Sequence, residues 1–70
     1  MEEKKRADQL VEGGMVNVKE AARFLQISLA GIYALMGRGE LEYAKIGRSR
    51  RIPKNALIEL AARNLVQRRN

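Results

Sequence analysis

Residues 17–37 read NVKEAARFLQISLAGIYALMG, and this stretch decides the fold. Asn17 is a helix start, because its side-chain oxygen is placed to accept the backbone N–H of Glu20, whose carboxylate reaches back to complete a capping box. From there Val18, Ala21, Ala22 and Leu25 recur at spacings of three and four residues. One stripe of a helix over 18–25 is therefore apolar, while Lys19, Glu20 and Arg23 face water. Gln26-Ile27 leads to Ser28, a second N-cap residue, and Leu29, Ile32, Tyr33, Leu35 and Met36 supply a second helix over 28–37. Two short amphipathic helices with a three-residue link predict a helix-turn-helix.

Towards the C-terminus, Gly37-Arg38-Gly39 ends the second helix, with Gly39 suited to a left-handed cap, and Glu40-Leu41 lead into a strand. Tyr43, Ala44 and Ile46 form that strand, Gly47-Arg48-Ser49 is a turn of hairpin size, and Arg50-Arg51-Ile52 returns until Pro53, which has no N–H for a ladder. Alternation directs Ala44, Ile46 and Ile52 toward the helices, sends Lys45 and Arg51 outward and puts Arg48 at the tip. Arg50 shares the parity of Ile52, so its stem is expected over the core edge with the guanidinium reaching out. A third helix starts near Pro53 and carries Leu57, Leu60, Ala61 and Leu65 on one face, flanked by Ile58 and Val66. Arg63, Gln67, Arg68, Arg69 and Asn70 make a basic end, in which Arg68 and Arg69 are read as complementing the helix C-terminal dipole.

The expected architecture is mainly α with a small β-hairpin, a winged helix-turn-helix in the order α-turn-α-β-β-α over residues 15–70. Residues 1–14 alternate charges around Ala7, Leu10 and Val11 before Gly13-Gly14. Three apolar residues bury little area, so this segment is expected to be a flexible or weakly helical leader.

Seventy residues make one small domain with little room for both a core and a deep cleft. The chain has no Cys and no His, which excludes disulfides, thiolate nucleophiles, imidazole bases and the usual zinc sites. Ser28 and Ser49 have no imidazole to activate them and the acids show no spacing that forces a shared site, so an enzyme is not expected. No cofactor is expected either. Apolar runs are short and broken by charge, and the start Met1-Glu2-Glu3-Lys4-Lys5-Arg6 lacks the apolar segment of a secretory signal, which fits a cytoplasmic protein without a membrane partner.

The net charge of +6 is one-sided. Residues 1–25 balance Glu2, Glu3, Asp8, Glu12 and Glu20 against Lys4, Lys5, Arg6, Lys19 and Arg23. Residues 26–70 carry the whole excess, Arg38, Lys45, Arg48, Arg50, Arg51, Lys54, Arg63, Arg68 and Arg69 against Glu40, Glu42 and Glu59. Within 45–54 there are five bases and no acid. Exposed charge also protects a two-stranded edge from pairing, but mixed charge would do that with less self-repulsion. A basic hairpin beside a helical pair points to duplex DNA as the partner.

In such a pair the second helix enters the major groove. The candidate groove residues are Ser28, Leu29, Ala30, Gly31, Tyr33 and Ala34, and the candidate backbone contacts are Arg38, Lys45, Arg48, Ser49, Arg50, Arg51 and Lys54. None of the groove set is the Arg, Asn or Gln that discriminates bases by paired hydrogen bonds, so direct readout is expected to be weak and DNA shape to matter more.

Met15 to Leu65 resembles the small winged helix-turn-helix domain of the excisionase family, related in fold to the DNA-binding head of MerR-type regulators. The likeness lies in the ordered set Val16-Asn17-Val18-Lys19-Glu20-Ala21-Ala22 with Leu25, Ile27-Ser28 with Ile32-Tyr33, Gly39-Glu40-Leu41, Lys45-Ile46-Gly47, and Arg51-Ile52-Pro53 with Leu57. It implies a second helix in the major groove, a wing from Gly47 to Arg51 on the adjacent minor groove or backbone, and a role in bending DNA or assisting an integrase or recombinase. The chain departs from the family at Leu29, Ala30, Gly31 and Ala34, where relatives often present polar groups, and at Arg50, where a packing residue is usual. It carries no effector region, so no small-molecule effector is indicated. The expected function is an excisionase-like architectural factor or small transcription regulator, with further copies loading cooperatively. The alternative is a protein-interaction or dimerisation module that uses Leu29, Ala30, Gly31 and Ala34 as an apolar surface.

Overall fold

The computed structural model describes residues 2–66, with side chains from Lys5 onward, as four helices and a small antiparallel sheet. The elements are α1 (Glu2–Val11), β1 (Met15–Val16), α2 (Val18–Leu25), α3 (Leu29–Gly37), β2 (Ala44–Ile46), β3 (Ser49–Pro53) and α4 (Lys54–Arg63). The winged helix-turn-helix is thus present and mainly helical. Gln67, Arg68, Arg69 and Asn70 lie outside the described residues. No helix among the described residues is long and apolar enough to cross a membrane.

Local chemistry sets the ends of α2 and α3. Asn17 Oδ1 accepts the Glu20 N–H at 2.8 Å and Glu20 Oε1 accepts the Asn17 N–H at 3.1 Å, so both halves of the capping box are made. Gln26 then takes a left-handed conformation, with φ 58°, and turns the chain into the three-residue link. Ser28 Oγ accepts the Gly31 N–H at 3.0 Å and starts α3. At its other end Gly39 sits at φ 75°; its N–H donates to Met36 O at 3.1 Å and the Glu40 N–H to Leu35 O at 2.9 Å, the paired bonds of a Schellman cap.

One core joins these parts. Ile32, Leu41, Ile52 and Leu57 are completely enclosed, with Ala21, Ala22, Met36, Ala56, Leu60 and Leu10 around them. The inward face of α4 is Ala56, Leu57 and Leu60, whereas Ala61 and Ile58 are exposed and Leu65 lies beyond the end of the helix. The expected stripe holds at Leu57 and Leu60 but takes in Ala56 in place of Ala61, and it stops short of Leu65 because α4 ends at Arg63.

The sheet has three strands in the order β1-β3-β2, one more than a hairpin. Met15 pairs with Pro53 and Val16 with Ile52, so β3 is hydrogen-bonded on both sides. On the other side Ala44 pairs with Arg51, Lys45 with Arg50 and Ile46 with Ser49. The turn is consequently two residues, Gly47-Arg48, with positive φ at Gly47 alone, the glycine-first pattern of a type II′ hairpin. This corrects the expected three-residue turn, and a one-residue slip exchanges the faces. Ala44 and Ile46 share a face with Arg51, and Ile46 is 62% exposed, while Lys45 shares the face of Arg50 and Ile52.

Residues 2–11, within the segment expected to be a flexible or weakly helical leader, form a helix packed on α4. Leu10 enters the core, Arg6 makes a two-pronged pair with Glu42 at 2.8 and 2.9 Å and reaches Glu59 at 3.4 Å, and Asn55 Nδ2 donates to Gln9 O at 2.8 Å. Polar anchors on both flanks supply what three apolar residues alone do not.

Candidate nucleic-acid interface

The first half of the interface is the outer face of α3. Because Ile32 and Met36 point into the core, helical geometry sends Leu29, Ala30, Tyr33 and Ala34 outward, and all four are exposed, as is Ser28 at the cap. Gly31 is only half exposed. A Cβ built there would lie 3.3 Å from Ser28 Oγ and 3.4 Å from Ile27 Cδ1, so this glycine serves close packing of the turn against α3.

The second half is the hairpin. Lys45, Arg48 and Ser49 are exposed, and Arg50 and Arg51 are half-buried. A cleft of about 340 Å³ between the start of α2, α3 and the wing is lined by Asn17, Val18, Lys19, Tyr33, Arg48, Arg50 and Arg51. Four cations and no acid surround it. Lys19 is the residue that sequence reasoning missed, having been assigned merely to the solvated side of its helix; the antiparallel pairing of Val16 with Ile52 carries the start of α2 alongside the wing.

Not every candidate converges there. Arg38 Nε holds Glu40 Oε2 at 2.6 Å on the exposed rim of α3. Lys54 follows β3 at the end away from the turn, and its N–H donates to Gly14 O at 3.0 Å. At about 3.3 Å per residue it sits well over 10 Å along the strand from Arg48. Arg63 Nη2 donates to Glu40 O at 3.0 Å and so ties α4 to the loop after α3. Arg51 Nη1 donates to the Arg50 carbonyl at 3.0 Å, which folds part of its guanidinium back on the strand.

Arg50 has a different environment. Its Cζ lies 5.3 Å from the centroid of the Tyr33 ring and 5.0 Å from that of Tyr43, within cation–π range of both. Tyr43 was read only as a strand residue. The two-residue turn, once known, would have placed it on the face of Arg50.

A protein family described as "Helix-turn-helix domain" matches residues 15–65. The chain is also 43% identical over 53 residues to a probable excisionase of Saccharopolyspora erythraea, across 76% of this chain and 54% of that protein. It thus spans about half the length of that curated relative. No solved structure matches it significantly.

Proposed function

The chain belongs to the helix-turn-helix domain family, and from that premise we propose that it is a non-enzymatic protein that binds duplex DNA with α3 in the major groove and the β2–β3 wing on the neighbouring backbone or minor groove. The observation that carries this reading is the acid-free cleft of Lys19, Arg48, Arg50 and Arg51 beside the exposed face of α3. Lys19, Arg48 and Arg51 take phosphates, with Lys45 on the same hairpin. Leu29, Ala30 and Ala34 meet thymine methyls or the groove wall, and Ser28 and Tyr33 add hydrogen bonds. Likeness to a probable excisionase supports an architectural role in DNA excision; in that role the protein would work in the cytoplasm beside an integrase or recombinase, with repeated copies on DNA, and a small transcription regulator would use the same contacts.

The test is duplex binding at graded salt. With roughly three to five phosphates engaged, log affinity falls against log salt with slope about −3 to −5, and replacing both Lys19 and Arg48 by Ala flattens it by nearly 2. No shift of a mixed duplex pool at low salt would overturn the reading. The 42% exposure of Leu29 and 46% of Tyr33 on an uncharged helix face favour, as a second reading, a protein-docking surface. Self-association in sedimentation without any DNA shift would select it.

A further inference from the structure

We propose that Arg50 is a positioning residue: its guanidinium, held over the rings of both Tyr33 and Tyr43, sets the angle between the wing and α3, and it is not itself a phosphate contact. The proposal rests on the DNA-binding reading above for its functional consequence, but not for the stack itself. Tyr33 stands on α3, Tyr43 on the segment entering β2, and Arg50 on β3, so one side chain joins three separate segments.

Nothing else polar performs that task. Among the described residues no hydrogen bond or ion pair joins α3 to the hairpin, and Arg50 has no carboxylate partner. The enclosed side chains Ile32 and Ile52 hold the base of the hairpin against the helices. Arg50 lies two residues further out, where the hairpin leaves the core and a small rotation would carry Arg48 away from the groove. A planar guanidinium lies flat against a ring face and so adds stacking to the cation–π attraction, which a compact ammonium does not, and its weak hydration lowers the cost of half-burial. Lys45, paired opposite Arg50, is exposed and free to take the backbone role that charge alone would assign to Arg50.

The experiment compares DNA affinity and free-protein proton spectra of Arg50→Lys, Tyr43→Leu, Tyr43→Phe and the double variant Arg50→Lys/Tyr43→Leu. Arg50→Lys keeps the charge and loses the stack, and affinity falls about tenfold; Tyr43→Leu falls by a similar factor, the double variant falls no further than either, and Tyr43→Phe, which keeps a ring, binds as wild type. Wild-type affinity in Arg50→Lys, or losses that multiply in the double variant, would overturn the proposal. In the free protein the Arg50 side-chain protons lie upfield from ring currents and move back in Tyr43→Leu; random-coil positions in the wild type would overturn the stack whatever DNA does. If the wild type binds no duplex while those protons are shifted, the DNA reading fails and the stack stands as the support of the wing.

Discussion

Ser28 accepts the Gly31 N–H, so the hydroxyl proposed to meet the groove is also the cap that starts α3. Replacement by Ala removes the acceptor from an orphan donor and costs about 1 kcal/mol of stability, whereas Gly costs only a few tenths. Urea unfolding followed by far-ultraviolet dichroism checks this, with a lowered midpoint and an unchanged slope as the expected outcome. A Ser28→Ala protein that unfolds like the wild type would show that the cap contributes nothing. Under the proposed binding mode a structural and a recognition duty would share one atom: the hydroxyl still has a proton to donate while its lone pair holds the helix.

Among the elements, the hairpin depends most on a single backbone setting. Gly47 has φ 62° and no neighbouring atom within 4 Å of a built Cβ, so Ala there meets no clash with its surroundings but forces an L-residue into the left-handed half of the map. Gly47→Ala should destabilise by about 1 kcal/mol or more and speed amide exchange in β2 and β3 ahead of α2 and α4. Uniform exchange across the protein would contradict it. The helices were legible in the sequence because their signals are local: Asn17 with Glu20, Ser28, Gly39 and the apolar spacing fix both the existence and the limits of α2 and α3. Strand register was not, since Gly47-Arg48-Ser49 accommodates a two- or three-residue loop and the choice exchanges the environments of Ala44, Lys45 and Ile46. β1 was invisible for a related reason. Its two residues gain their meaning only from Pro53 and Ile52, far along the chain. Of the interface, the basic wing could be read directly, but Lys19 and Tyr43 join it only through pairings between distant segments.

At the scale of the whole molecule, α1 is docked by contacts whose strength depends on pH. Hydrogen bonding from Arg6 holds the Glu42 carboxyl below its ordinary value of 4.5, against a smaller opposing effect of burial. A folded-state value below the unfolded one means that the pair's contribution is fully present above the ordinary carboxyl value and is lost as pH falls through the lower, folded value. Both side chains are about half exposed, so the effect is modest and screened by salt. Amide signals of residues 5–11 should therefore broaden or shift between about pH 5 and about pH 3 at low salt, while those of α4 hold; Glu42→Gln should remove that dependence. An α1 that loosens in acid equally in the Gln variant would sink the assignment to Glu42. The joint between wing and helices has a consequence for how the molecule can be observed at all. The chain contains no tryptophan and two tyrosines, and those two rings are the ones that flank Arg50. Apart from the faint absorption of Phe24, every near-ultraviolet photon the protein absorbs is taken up at this joint, so its emission and dichroism report first of all the seating of the hairpin.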